Sequence, residues 1–346
     1  MDKKILVTGG CGYIGSHTLI SLSMAGYIPI VLDNLSNSSL EALKQVENIL
    51  GERIKFYNVD ILDKLSLKKI FSENDFEAVV HFAGLKSVSD SFKRPISYYK
   101  NNVSGTIALL EIMEKSNIKN LVFSSSATVY CKSVNSPIKE NSRLCPTNPY
   151  GNTKLTIEKI CRDLTNSSSE KPWNIFSLRY FNPVGSHESG LIGEDPSGTP
   201  NNLMPYISQV AVGELDILSI FGNDYPTSDG TGVRDFIHVT DLAEGHVSAL
   251  NWIMKEEKSK SICREINLGT GRGTSVLELV NLFEKETGIK IPYKFAPRRN
   301  GDNASSYADP SLAKSLLNWE AKKSIENMIE DTWRWQSKNP KGYKKS

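Results

Sequence analysis

The 346-residue chain balances 41 Lys+Arg against 39 Asp+Glu for a net charge of +2, and it is 39% hydrophobic and 23% charged. These proportions exclude a disordered or fibrous chain, and the absence of any extended basic run excludes a nucleic-acid-binding surface; the tail lysines Lys341, Lys344 and Lys345 read as a solvated end. The length exceeds what one core usually organises, so a large α/β unit with a smaller companion is expected. Five scattered cysteines (Cys11, Cys131, Cys145, Cys161, Cys263) with no C-x-x-C spacing argue against a disulfide framework or a zinc site and fit a reducing compartment. The chain runs from Met-Asp-Lys-Lys straight into a strand, and no apolar run reaches membrane-spanning length. A cytoplasmic protein with no signal peptide, membrane contact or metal is therefore expected.

Ile5-Leu6-Val7 reads as a buried parallel strand that runs into Gly9-Gly10-Cys11-Gly12-Tyr13-Ile14-Gly15, and residues 16–25 read as a helix. Gly9, Gly12 and Gly15 form G-x-x-G-x-x-G, a variant of the dinucleotide fingerprint, in which glycines let the backbone approach a pyrophosphate at a helix start. Ile30-Val31-Leu32-Asp33 ends a second strand in an acid about 20 residues on, the place of a ribose ligand. Asp33 repels a 2′-phosphate, which favours NAD over NADP.

Further strands are predicted over 54–60, 78–82 and 120–124, alternating with helices. Their ends carry Asp60-Ile61, His81-Phe82-Ala83-Gly84 and Ser124-Ser125-Ser126, at the carboxyl edge where doubly wound sheets bind ligands. Asp60 and Ile61 suit adenine, Ala83-Gly84 allow close backbone approach, and Lys86 suits a ribose or phosphate. His81 reads as a structural histidine. A helix is predicted over 97–116.

Asn148-Pro149 predicts another helix start, since Asn is a preferred N-cap and Pro suits the first turn. Leu155, Ile157, Ile160, Cys161 and Leu164 give that helix a core-facing stripe. Tyr150 then lies in the first turn with Lys154 one turn on, and both the helix N-terminus and the ammonium favour a phenolate able to act as a base.

The serine-rich stretch 165–172 reads as a loop before the strand Ile175–Leu178, which leads into Arg179-Tyr180-Phe181-Asn182-Pro183. Residues 183–205 lack periodicity and suit a substrate loop. Strands over 218–221, 233–239 and 265–268 alternate with helices over 203–213, 241–255 and 275–287. A last helix, 324–336, carries Trp333 and Trp335 as core residues.

With these segments assembled, the chain resembles an extended short-chain dehydrogenase/reductase and, within that family, the UDP-galactose 4-epimerases. The resemblance runs nearly end to end, through Val7–Ser16, Asp33–Asn37, His81–Lys86, Ser124–Tyr130, Arg179–Gly185, Asn201–Tyr206, Gly232–Val239 and Arg298–Asp302. It implies a doubly wound Rossmann sheet over 1–182 that binds NAD, with segments around 233–268 partly returning to it, and a smaller UDP-sugar-binding α/β domain over 183–346. It implies an isomerase that interconverts UDP-galactose and UDP-glucose at C4 through a 4-keto sugar, working as a homodimer built from helices 97–116 and 150–165. Tyr150 falls on the catalytic base, Lys154 on its electrostatic partner and ribose ligand, and Ser126 on the residue bonded to sugar O4. Tyr13, Ile14, Asp33, Asn34, Asn37, Asp60, Ile61, Phe82, Ala83, Gly84, Lys86, Asn101 and Phe181 fall on NAD positions. Asn182, Asn202, Leu203, Arg234, Arg299 and Asp302 fall on UDP-sugar positions; arginine forks suit a diphosphate.

Two positions depart from the family. Cys131 replaces a glycine common in relatives, with little effect expected. Ser306 takes the place of a gate residue that is bulky in members confined to plain sugars, so the resemblance implies activity on UDP-GlcNAc and UDP-GalNAc as well. Two rival functions remain: another nucleotide-sugar reaction on this scaffold, decarboxylation or dehydration, or an NAD-sensing protein without catalysis. Ala127-Thr128-Val129 lacks the carboxylate pair that dehydration needs, and the Tyr-x-x-x-Lys pair speaks for catalysis.

Overall fold

The computed structural model describes residues 3–343 except 168–171, 197, 199, 201, 256–259, 300 and 301. Part of the 165–172 loop, Asn201, Lys344 and Lys345 therefore lie outside the described residues.

Seven parallel strands form the central sheet, and their residues explain its depth. β1 (Lys4–Thr8), β2 (Ile28–Asp33), β3 (Lys55–Asn58), β4 (Phe76–His81), β5 (Asn120–Ser126) and β6 (Asn174–Tyr180) are joined by the strand Ile262–Leu268. The order is Ile262–Leu268, β6, β5, β4, β1, β2, β3, a doubly wound Rossmann topology that reverses direction between β1 and β4. Along β1, Ile5 and Val7 point into one apolar cluster and Leu6 into another, as the two-residue period of a strand requires. Helix α1 (Tyr13–Met24) and the helix Val239–Met254 cover the first face. The helices Gly105–Lys115 and Pro149–Asn166 cover the second.

The expected 97–116 helix is interrupted. Pro95–Tyr98 is α-helical, Tyr99–Ser104 forms a π turn, and Gly105–Lys115 resumes the α-helix. Such a bulge admits one extra residue and commonly marks a functional position. The expected 233–239 strand is also divided: Val233–Arg234 pairs with Thr274–Ser275 and Ser305–Ser306, whereas Phe236–His238 pairs with Asn182–Val184. A third apolar cluster, with Ile207, Ile220, Phe283 and Ile329, forms the core beneath these pieces. Trp335 is buried and Trp333 packs against that cluster.

One expectation fails. Cys131 and Cys145 are joined by a disulfide, although cysteine spacing gave no sign of it. Tyr130 and Leu144 form an antiparallel bridge and the Cys131 amide donates to Arg143 O at 2.9 Å, which brings the two Cα atoms within 4.5 Å. Cys11, Cys161 and Cys263 are free thiols.

Candidate functional site

The turn after β1 admits only glycine where it matters. Gly9 sits at φ +72°, and a Cβ there would lie 2.7 Å from the Ala83 amide nitrogen; at Gly15 it would lie 2.3 Å from Gly9 O. Gly12 begins α1 with no side-chain cap and no acid in the first turn, so the helix presents bare N–H groups to an anion. Asp33 ends β2 beside this turn, its carboxylate accepting from the Cys11 amide at 3.0 Å, the Leu35 amide at 2.9 Å and Ser38 Oγ at 2.8 Å. Asn34 Nδ2 donates to Asp60 Oδ2 at 2.8 Å, Ile61 is buried, and Asn37 is exposed just beyond. Ile14 packs against the core below the turn, and Tyr13 OH donates to Gly185 O at 2.6 Å, tying the start of α1 to the second lobe.

Across the switch point, the Phe82 and Ala83 amides donate to Thr8 O, and Phe82 stacks on His246 with centroids 4.8 Å apart. His81 is structural as expected, bonded to Thr8 Oγ1 at 2.6 Å and Thr106 Oγ1 at 2.8 Å. Gly84 lies against Asn102, a residue of the π turn that sequence reasoning passed over. Asn102 bonds both the amide and the carbonyl of Leu85, at 2.8 and 3.0 Å, and donates to Thr153 Oγ1 at 3.1 Å. It thereby fixes the 83–85 loop to the Tyr150 helix. The Asn101-Asn102 doublet, polar inside an otherwise apolar helix, was the available signal; Asn101 Nδ2 donates to Asn102 Oδ1 at 3.0 Å.

The Pro149–Asn166 helix begins as its sequence dictates, with Asn148 Oδ1 accepting from the Gly151 amide at 2.8 Å. Ser126 stands close enough to Tyr150 to pull its hydroxyl pKa down. Ser126 Oγ accepts from the Thr128 amide at 3.2 Å and Thr128 Oγ1 at 3.0 Å, which leaves its own proton for another acceptor. Lys154 is buried; its Nζ donates to Ser124 O at 2.6 Å and Ser124 Oγ at 3.2 Å and stands 5.8 Å from the Tyr150 ring centroid. The electrostatics correct the sequence expectation. Burial pushes the Tyr150 hydroxyl up to about 12, with the Ser126 hydrogen bond working in the opposite direction. Burial also brings Lys154 down to about 7, opposed by the Glu158 carboxylate. Desolvation is the largest influence on both groups.

Of the UDP-sugar candidates, Arg234, Arg299, Asp302 and Ser306 meet one another. Arg234 Nη1 donates to Val233 O at 2.8 Å and Asn303 O at 3.0 Å, and its Nη2 lies 3.9 Å from Asp302 Oδ1. Arg299 Nε donates to Asp302 Oδ2 at 2.9 Å, and its guanidinium lies 5.0 Å from the centroid of the exposed Phe221 ring, a residue sequence reasoning missed. Asp302 thus holds two guanidinium forks together. Ser306 is the strand partner of Arg234 and is half-exposed. Phe181 is buried, its amide donating to Leu268 O at 3.2 Å, and the Asn182 amide donates to Asp235 O at 2.9 Å. Leu203 begins the helix Leu203–Ala211, capped by Asn202. The Asn202 side chain does not bond the helix but donates to Glu194 Oε1 at 2.9 Å, which also receives Lys86 Nζ at 3.2 Å. Glu194, a second residue missed, therefore joins one cofactor candidate to one substrate candidate.

A glycine cradle at the sheet's switch point, with Tyr-x-x-x-Lys and a serine beside it, defines an extended short-chain dehydrogenase/reductase. The family model described as GDP-mannose 4,6 dehydratase matches residues 6–332. A UDP-glucose 4-epimerase of Bacillus subtilis is 57% identical over 340 residues, covering 98% of each chain. Among solved structures, the UDP-glucose 4-epimerase of Bifidobacterium longum, in complex with NAD+ and UDP, is 48% identical with a TM-score of 0.93 over 99% of this chain and 100% of that one. The UDP-Glc/GlcNAc 4-epimerase of Campylobacter jejuni is 35% identical with a TM-score of 0.83, covering 97% and 99%. The chain belongs to the UDP-glucose 4-epimerase family.

Proposed function

We propose that the chain interconverts UDP-galactose and UDP-glucose by epimerisation at C4 through a 4-keto sugar, with NAD as tightly held cofactor. The observation that carries this reading is the Ser126–Tyr150–Lys154 constellation at the carboxyl edge of a sheet whose glycine cradle fits a dinucleotide. Residues 1–182 with the strand Ile262–Leu268 would hold NAD, with Gly9, Gly12 and Gly15 suited to its pyrophosphate and Asp33 to its adenosine ribose. Asn182, Asn202, Leu203, Arg234, Arg299 and Asp302 hold the UDP-sugar, the two arginines facing its diphosphate. When bound, NAD supplies the oxidant for the sugar C4 carbon and the reductant that restores it.

The chain's own residues move the proton. To take it from the C4 hydroxyl Tyr150 must act as a phenolate, which its burial opposes; Lys154 supplies the positive charge that offsets that cost, and the Ser126 hydroxyl stabilises the oxygen that gives the proton up. Hydrogen returned to the opposite face of the keto sugar completes inversion, so the nucleotide must be gripped and the sugar left free to turn. Asp302, pairing both guanidinium groups, sets the grip.

A small Ser306 beside Arg234 supports activity on the N-acetylated UDP-sugars as well. A homodimer is supported by exposed Ile107 within the 97–116 segment and exposed Phe92 and Ile96 just before it. Three free thiols favour a cytoplasmic setting, and the Cys131–Cys145 disulfide speaks against it. The test is incubation of purified protein with UDP-galactose and no added NAD. Formation of UDP-glucose is expected; no conversion, even with NAD supplied, would move the reading to another nucleotide-sugar reaction or a binding role.

A further inference from the structure

The three consecutive serines of β5 each have a different consumer on one helix. Tyr150, Lys154 and Glu158, spaced one turn apart, take Ser126, Ser124 and Ser125 respectively. The first two pairs belong to the catalytic set, whereas the third has no part in it. Glu158 is fully buried, and its Oε1 accepts from Ser125 Oγ at 2.6 Å and from Arg179 Nε at 2.9 Å, its Oε2 from Arg179 Nη2 at 2.7 Å. Arg179, 1% exposed on β6, spends its remaining nitrogen on Tyr130 OH at 3.0 Å and Glu140 O at 2.9 Å. A bidentate pair with every polar atom engaged has one low-energy arrangement.

That arrangement fixes how far the helix can slide along the serine strand. A carboxylate bonded to Ser125 sets the same offset at which Tyr150 meets Ser126 and Lys154 meets Ser124. Resting on the catalytic reading of that constellation, we propose that Glu158, clamped by Arg179, is a positioning residue that holds the Tyr150 helix in register with the serine strand and keeps Lys154 cationic. Facing Lys154 are Tyr150 and Glu158 from its own helix, Ser124 and the Phe123 ring from β5 and His81 from β4, with Tyr180 from β6 beside Tyr150 and Ser124. Burial holds His81 down to about 3 and pushes Tyr180 up, so both stay neutral and Glu158 is the carboxylate that opposes Lys154 desolvation.

The experiment compares NAD-loaded wild type, Glu158→Gln and Ser125→Ala. Glu158→Gln keeps the shape and removes the charge; kcat should fall about 100-fold, the loss a misplacement of roughly 1 Å produces. KM for UDP-galactose and bound NAD should stay at wild-type levels. The alkaline limb of the kcat profile should move to lower pH, since an unopposed Lys154 sheds its proton earlier. Ser125→Ala removes one helix-to-strand bond and leaves the charge; kcat should fall about tenfold with the limb unmoved. Hydrogen exchange over 150–158 should speed up in Ser125→Ala whether or not turnover is measurable. If Glu158→Gln does not fold, Ser125→Ala decides through kcat and exchange. Wild-type kcat and exchange in Ser125→Ala, or a Glu158→Gln loss shared by NAD content with the limb in place, would overturn the proposal. A wild type that never converts UDP-galactose would instead refute the epimerase reading.

Discussion

Lys154→Met offers a test in which stability and function move in opposite directions. The ammonium is buried and held down from 10.5 to about 7. At about 1.4 kcal/mol per pKa unit, that gap corresponds to about 5 kcal/mol spent on keeping the charge inside. Methionine removes the charge at similar volume but also loses the bond to Ser124 O, worth about 1–3 kcal/mol when a buried acceptor is left unpaired. In NAD-free protein at pH 6, Lys154→Met should therefore be about 2–4 kcal/mol more stable than wild type by urea unfolding. The sign with pH follows from where the proton sits. Below pH 7 both folded and unfolded chains hold it, and the burial penalty is complete. Above pH 7 the folded wild type releases a proton that its unfolded chain keeps up to about 10.5, so wild type gains stability as pH rises. The variant's advantage should shrink by up to about 1.4 kcal/mol per pH unit between pH 7 and 10 and vanish by the upper end. A variant less stable than wild type at pH 6, or one whose advantage does not change with pH, would refute the assignment of a desolvated cation here.

Three further outcomes are expected. Gly15→Ala drives a methyl to within 2.3 Å of the Gly9 carbonyl, so NAD released on denaturing the purified protein should fall at least about tenfold while circular dichroism stays at the wild-type value. Tyr150→Phe should cut UDP-galactose conversion about 1,000-fold and leave NAD content intact; an active variant would remove Tyr150 from the chemistry. Ser306→Tyr should abolish conversion of UDP-GalNAc and spare UDP-galactose, and an unchanged ratio of the two activities would remove Ser306 from the gate.

What the sequence made legible was local. Asn148 and Pro149 announced the start of the catalytic helix at their own positions, and Ile5 to Asp33 carried a complete strand–turn–helix–strand statement, because caps and tight turns depend on neighbours in the chain. Longer-range facts were out of reach. Nothing near Cys131 foretells Cys145, since their approach depends on an antiparallel return at Leu144. Arg234 and Ser306 become strand partners only after 70 residues of intervening chain have folded. The burial that raises the Tyr150 hydroxyl was out of reach for the same reason: it comes from packing that the chain supplies elsewhere.

The strand Ile262–Leu268 lies beside β6, paired from Asn174–Ile262 to Tyr180–Leu268. Everything between them, including Asn182, Asn202 and Arg234, is an excursion whose two ends are moored to adjacent strands of one rigid sheet. The part of that excursion before the helix Val239–Met254, which covers the sheet, can change length and composition without disturbing the strand ends that carry Ser126 and the glycine cradle. The fold thus separates the part of the chain that performs redox chemistry from the part that selects a sugar, and lets the second drift while the first stands still.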